Sequence, residues 1–319
     1  MRFSRRTFLK WSLGAAAASA PTLLAQGDPS KPEPRASAVE QSGCLVDTTL
    51  CIGCRKCEEA CNRRNKLPRP DAPFTDTAVF RNERRPSGKA LTVVNEYTGS
   101  PSPDQSWARQ TYVKVQCLHC LTPSCVSACI VGAMTKAKDG SVVYNPKICL
   151  GCRYCLVACP FQIPAYEYGN AVTPRVRKCE FCADPARGTG ADPACAASCP
   201  TEALVFGKRT ALLTLAKDRL AKRPDRYVDR IYGEKEVGGT SWLYLFGRPA
   251  GEIGLLEVPQ SAPAHLTESI QHGIFRYGLI PISIYGALGG LMWFNQRKSR
   301  KLPSPDQAEP PESQEEPRE

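Results

Sequence analysis

Residues 277–294 read YGLIPISIYGALGGLMWF, a run of 18 positions without a charge. At 1.5 Å per residue a helix of that length spans roughly 27 Å, close to the hydrocarbon thickness of a bilayer. Tyr277 and the pair Trp293-Phe294 stand at its two ends, where amphipathic rings collect at membrane interfaces. Arg297, Lys298, Arg300 and Lys301 follow at once, as on the cytoplasmic flank of a span. The pattern predicts one transmembrane helix over 273–296, with the bulk of the chain outside the cytoplasm. Pro281 is tolerable there, and Gly286 with Gly290 offers a close-packing face to a partner helix. The competing reading is a buried helix of a soluble core.

A second apolar stretch, 11–25, is rich in Ala and follows Arg2, Arg5, Arg6 and Lys10. Just before it, Ser4-Arg5-Arg6-Thr7-Phe8-Leu9-Lys10 matches a twin-arginine export signal, so 1–26 reads as a targeting segment. That route carries proteins already folded with their cofactors inserted. It suits a chain whose thiols must take up metal before meeting an oxidising compartment. Ala18-Ser19-Ala20 is followed by Pro21, a poor residue after a cleavage point, so the cut itself is not legible.

Between the two ends, periodicity predicts an amphipathic helix over 210–223, with Leu212, Leu213, Leu215 and Leu220 on its packed side. Asp139-Gly140 within 134–144 is a hairpin signal. Residues 27–43 read as a linker, 44–208 as the main domain and 209–272 as an extension packing on it. From 297 the chain reads as a basic flank and then a disordered tail, Pro- and Glu-rich from Leu302.

Composition narrows the chemistry. The chain has 319 residues, 42% of them hydrophobic, enough for a packed core in about two domains. Its 17 Cys are too many for incidental thiols, and an odd count would leave a pure disulfide framework with one sulfur over. Three His argue against a haem-rich protein or a His-built metal enzyme. The net charge of +11 invites nucleic-acid or membrane-surface readings until its placement is examined. The signal supplies four of those charges and the flank after the span four more, while the tail offsets five. Residues 11–296 therefore carry +8.

Sixteen of the cysteines fall into four quartets. They are Cys51-x2-Cys54-x2-Cys57-x3-Cys61, Cys117-x2-Cys120-x4-Cys125-x3-Cys129, Cys149-x2-Cys152-x2-Cys155-x3-Cys159 and Cys179-x2-Cys182-x12-Cys195-x3-Cys199. The run C-x2-C-x2-C-x3-C is the bacterial ferredoxin spacing. Three thiolates on a tight loop wrap three corners of one [4Fe–4S] cube. The fourth, placed on the helix that follows, ligates the partner cube. Pro160 and Pro200 redirect the chain after the third and fourth quartets, whereas Asn62 and Ile130 stand in that place after the first two. Disulfides cannot easily use three cysteines two residues apart. Structural zinc competes for the fourth quartet, as a tetrahedral all-thiolate site.

If the quartets combine as two ferredoxin-like units, the second and third pair through the 134–144 hairpin. Exchange of fourth ligands gives one cluster on Cys117, Cys120, Cys125 and Cys159, and a partner on Cys129, Cys149, Cys152 and Cys155. By elimination the outer pair uses Cys51, Cys54, Cys57 and Cys199, then Cys61, Cys179, Cys182 and Cys195. The fold class expected is α+β, two pseudo-twofold ferredoxin-like units with inserted loops plus one C-terminal transmembrane helix. No phosphate loop, nucleophile elbow or acid–base constellation stands elsewhere, so no catalytic residue is expected. Sixteen thiolates around four cores of about +2 each leave a net near −8, which roughly cancels the +8 of residues 11–296. The basic surplus thus reads as counter-charge for clusters, and nucleic acid is not an expected partner.

With those residues in view the chain resembles the electron-transfer subunits that serve formate dehydrogenases, sulfoxide reductases and hydrogenases. The blocks Cys117-Leu118-His119-Cys120, 151–160 (GCRYCLVACP) and Lys178-Cys179-Glu180-Phe181-Cys182 carry that likeness. So do 232–240 (YGEKEVGGT), Gln271-His272 and the single span; together they resemble the HybA-type iron–sulfur subunit of membrane-bound nickel–iron hydrogenases. The resemblance implies four [4Fe–4S] clusters relaying electrons between a periplasmic hydrogenase, with its large nickel–iron and small iron–sulfur subunits, and a multi-span quinone-reactive membrane subunit. It also implies the inner membrane as location, the main domain periplasmic and the C-terminus cytoplasmic. The same relay beside a molybdenum oxidoreductase is the runner-up. A zinc-stabilised, membrane-tethered scaffold is the alternative of another class.

Several residues tempt without deciding. His119 can tune a cluster by hydrogen bonding or simply pack its loop. His272 and Arg276 read as an interfacial pair beside the span. Cys44, outside every quartet, reads as a buried or incidental thiol. Arg55, Lys56 and Arg153 read as screens for cluster charge.

Overall fold

A computed structural model of the protein describes residues 41–99, 110–170, 174–183, 192–264 and 279–299. The signal, most of the linker, Tyr277, His272, Arg276 and the acidic tail lie outside the described residues.

Strand β1 (Ser42–Asp47) is the centre of a three-stranded sheet. It pairs antiparallel with β8 (Leu204–Lys208) and parallel with β9 (Trp242–Leu245). A central strand covered on both faces reads as a continuous apolar run rather than an alternation, and Cys44, Leu45 and Val46 are all buried. The period of two then sorts them. Cys44, Val46, Trp242 and Tyr244 belong to a core that also holds Tyr232, Phe181 and several quartet cysteines. Leu45, Leu243 and Leu245 turn to the other side, where helix α5 (Arg209–Lys222) lays Leu212 and Ala216 against them. The predicted amphipathic helix is thus present within a residue at each end, and its leucine stripe covers one face of the sheet.

The cysteine loops hang from this sheet and from three small antiparallel hairpins. The first is β2 (Val93–Thr98) with β3 (Gln110–Val115). The second, β4 (Met134–Lys136) with β5 (Val142–Tyr144), is the one predicted at Asp139-Gly140. Its turn has Gly140 at φ 94°, and the Asp139 carboxylate accepts from the Ser141 amide and hydroxyl at 2.9 and 2.8 Å. The third is β6 (Ala165–Tyr166) with β7 (Val176–Arg177).

Each quartet has a helix. They are α1 (Lys56–Arg64), α2 (Ser124–Ser127), α3 (Tyr154–Val157) and α4 (Ala194–Ala197). The expectation that every fourth cysteine sits on the helix holds for Cys61 alone. Cys129, Cys159 and Cys199 lie two residues beyond helices of a single turn. Pro160 and Pro200 explain two of these, because the residue before a proline is driven out of the α region. Asn62 sets no such stop, and α1 runs on to nine residues. Helix α1 packs on α4, and α2 on α3.

Helix α6 (Leu279–Ser299) has 21 residues. Its described residues start six positions inside the expected span of 273–296 and run past it through polar Asn295, Gln296, Arg297 and Lys298 to Ser299. Among the described residues, no helix is long and apolar enough to cross a membrane.

Candidate metal centres

The loops that carry the cysteines share a backbone device. Gly53 and Gly151 take φ of 69° and 73°, and Arg55, His119, Arg153, Phe181 and Cys182 adopt left-handed values between 50° and 62°. Non-glycine residues enter that region at a cost and persist where the surroundings dictate it. Alternation of right- and left-handed residues turns successive amides into one concavity, an arrangement suited to anionic clusters. Amides already approach thiol sulfurs: Ala133 to Cys129 at 3.1 Å, Gly151 to Cys149 and Phe181 to Cys179 at 3.4 Å.

Eight of the cysteines line two pockets, four in each. Cys51, Cys54, Cys57 and Cys199 line one pocket of about 400 Å³, with Pro200 and Thr201 on its wall. Cys61, Cys179, Cys182 and Cys195 line a second, of about 350 Å³, together with Asn65 and Trp242. Cys120 lies within electrostatic reach of Cys117, Cys125 and Cys159, and Cys155 of Cys129, Cys149 and Cys152. Burial pushes the thiols of Cys51 and Cys155 up to about 11 and those of Cys61 and Cys125 up to about 12. Left alone at neutral pH they keep their protons; only a bound cation makes them thiolates. Among the described residues no three Cys, His, Asp or Glu side chains converge as a single ion's ligands would. Four thiols on one pocket wall, drawn from two quartets of which one has the ferredoxin spacing, suit a polynuclear iron–sulfur cube better than one zinc ion held at about 2.3 Å by each sulfur.

The charged neighbours differ from those expected. Arg55 is buried, pairs with Glu58 at 3.0 Å and donates to the carbonyls of Pro73 and Asp76, so its charge is committed. Glu58 also receives Arg84 at 2.6 Å and the Val94 amide at 2.6 Å. Arg153 is exposed, with its guanidinium near the rings of Tyr166 and Tyr168, and Lys56 faces solvent. Cys44 is fully buried in β1, where burial raises its pKa; it lines neither pocket, though Cys195, Cys179 and Cys199 lie within electrostatic reach. His119 is buried against Phe181, its Nδ1 accepting from the Val142 amide at 2.8 Å and its Nε2 without a protein partner.

The residue that sequence reasoning missed is Lys114. It is buried on β3, and its Nζ donates to Gln116 at 2.8 Å and lies 4.5 Å from the centre of the Trp242 ring. Burial alone would lower its pKa, but the sulfurs of Cys195, Cys57 and Cys179 outweigh it and raise the pKa. A lysine among valines in the stretch TYVKVQC, three residues before a ligand, was the available signal.

Known proteins agree with this reading of the thiols. Residues 108–209 match the model of a 4Fe-4S dicluster domain, and 2–22 match a twin-arginine translocation signal sequence. The hydrogenase-2 operon protein HybA of Escherichia coli O157:H7 is 32% identical over 92% of this chain and 96% of its own length. The formate dehydrogenase-O iron–sulfur subunit of Escherichia coli K12 is 34% identical over 69% of this chain and 73% of its own. A protein of Nitratidesulfovibrio vulgaris is 44% identical over 84% of this chain and 70% of its own. Exported through a twin-arginine signal and built to bind [4Fe–4S] groups, the chain belongs to the HybA-type family of non-catalytic iron–sulfur electron-transfer subunits of oxidoreductase complexes.

Proposed function

We propose that the chain holds four [4Fe–4S] clusters, one in each cysteine set, and relays electrons between a periplasmic nickel–iron hydrogenase and a quinone-reactive membrane subunit. Each cube supplies a site that gains and loses one electron. The protein's own work is to fix the sites, exclude water from them and set their surroundings. What supports the reading is that Cys51, Cys54, Cys57 and Cys199 line one pocket and Cys61, Cys179, Cys182 and Cys195 another, each drawing on two quartets, while Cys120 and Cys155 lie within electrostatic reach of the other six. Ligand exchange between quartets locks the clusters in pairs, α1 against α4 and α2 against α3, so that electrons pass through packed protein. Iron and acid-labile sulfide in anaerobically purified protein test the reading. About sixteen of each per chain is the expected result, and zinc with little iron overturns it.

The hydrogenase assignment is favoured over formate dehydrogenase because the likeness to HybA runs through nearly the whole of both chains. Co-purification with a nickel-containing partner is expected; a molybdenum-containing one would reverse the assignment. The membrane attachment belongs to the same proposal. Helix α6 exposes Ile282, Ile284, Leu288, Leu291, Met292 and Phe294, a surface that water does not favour. Arg297 sits over the Trp293 ring at 4.1 Å, a cation and an aromatic placed as an interfacial anchor. With the residues before it, α6 would cross the inner membrane once, its C-terminus cytoplasmic. No heavy atom stands within 4 Å of a side chain added at Gly286 or Gly290, which leaves that face for the membrane subunit. Leu at both positions should abolish assembly of the complex, and full assembly would refute the docking face.

A further inference from the structure

Lys114 is the one residue, among the described residues, that lines both the pocket of Cys51, Cys54, Cys57 and Cys199 and that of Cys61, Cys179, Cys182 and Cys195. Its charge has little else to answer it. The buried carboxylates Asp47, Glu58 and Glu236 are taken by Arg219, by Arg55 with Arg84, and by Arg230. An ammonium has three N–H donors, yet Lys114 has one neutral acceptor, the Gln116 amide oxygen, and one ring face. The half-buried Lys136 and the buried Lys178 are provided for. Lys136 donates to the carbonyls of His119, Cys120 and Gly140 at 3.2, 2.8 and 2.6 Å, and Lys178 to those of Val142 and Cys179.

An unpaired charge in a core is expensive, and proteins keep one only where an opposite charge answers it. The position is also held deliberately. Gln116 donates to the Tyr244 hydroxyl at 2.6 Å, and that hydroxyl donates back to the Lys114 carbonyl at 2.8 Å, closing a ring of contacts around the side chain.

We propose that Lys114 is a fixed positive charge shared by the two sites of the outer pair, and that it holds both their reduction potentials up. The inference rests on the four-cluster reading. Four thiolates around a core of about +2 give each site a charge near −2, and one electron, from the catalytic partner or from dithionite, takes it to −3. A cation against both sites favours the more negative state of each. No bond forms or breaks at Lys114, and its proton stays. The field of Lys114 is the same whichever site is reduced, while an electron on one site directly repels a second electron on the other. The pair therefore prefers a single electron at a time, the condition for hopping.

The test uses the full chain in its membrane complex, prepared anaerobically as wild type, Lys114→Met and Lys114→Arg, with iron analysis and EPR-monitored redox titration. Met has similar length without charge; Arg keeps the charge. In Lys114→Met with full iron, two of the four clusters should become harder to reduce. Their reduction equilibrium constants should fall about tenfold, or about 59 mV for one electron. The other two should hold, and Lys114→Arg should titrate like wild type. Loss of iron from Lys114→Met with iron retained in Lys114→Arg also supports the proposal, since charge alone separates the two. Unshifted potentials, an equal shift of all four clusters, or loss of iron from both variants overturns it. A wild-type chain without clusters would instead sink the four-cluster reading itself.

Discussion

The first and third quartets have one spacing and one loop, but different surroundings. Gly53 and Arg55 in the first, and Gly151 and Arg153 in the third, take the same left-handed backbone. In the first, the residue after the third cysteine is Glu58, buried and gripped by Arg55, Arg84 and the Val94 amide. Its counterpart in the third is Leu156, and there Arg153 lies outside on Tyr166 and Tyr168. Both loops expose their second cysteine and the apolar residue before the glycine, Ile52 at 59% and Leu150 at 73%, but the third adds Val157 at 81%, with Ile130 at 81% following Cys129. Spacing dictates how a loop can wrap a cluster. What surrounds the loop decides whether that site is an interior station or a place where electrons leave the molecule.

Mutations can break this contrast. The largest effect belongs to the ligands. If the chain holds the four clusters proposed, Cys195→Ser and Cys152→Ser should each cost about four of about sixteen irons. Cys195 is buried beside the sheet, so its loss should lower the melting temperature far more than loss of exposed Cys152. Equal drops would erase the distinction between the halves. Next comes Glu58→Gln, which leaves Arg55 buried without its charge partner and should cost about 3–5 kcal/mol in chemical denaturation. A change below about 1 kcal/mol would mean the network is ornamental.

Glycine provides a matched pair. A methyl group on Gly53 would meet the Tyr112 ring at 2.4 Å, whereas one on Gly151 would meet only the movable Tyr166 hydroxyl at 3.0 Å. Both pay about 1–2 kcal/mol for an alanine in the left-handed region, but Gly53→Ala should be worse by at least about 1 kcal/mol. Melting curves of the two variants decide it. The smallest stability effect is expected of Val157→Asp, within about 0.5 kcal/mol. If the exposed apolar side chains around Cys152 meet a partner, this substitution should still reduce recovery of the intact complex on gel filtration.

Much of this was legible from local pattern. The hairpin at Asp139-Gly140, the helix after residue 209 and the four quartets all depend on residues a few positions apart. The fourth cysteines were misplaced because a one-turn helix and a longer one share the same spacing, and only Pro160 and Pro200 hinted at the stop. Arg55 was misread as a screening charge, since its partners at 73 and 76 come from a loop without periodicity. Lys114 was missed for a deeper reason. Its meaning depends on two pockets whose walls come from residues 46 to 242, and no window of sequence contains them.

The central strand has a consequence for how the molecule is made. Strand β1 is the first part of the domain to leave the ribosome, yet its parallel neighbour β9 ends at residue 245. At about 5–20 residues per second, the nascent chain carries β1 and the first thiols for roughly 10–40 s before the sheet can close. The first cysteine set likewise waits for Cys199. Insertion at the outer pair must therefore wait for Cys199, while the middle pair has all its cysteines by Cys159, and any factor that delivers iron has to guard the half-made outer sites or ignore them.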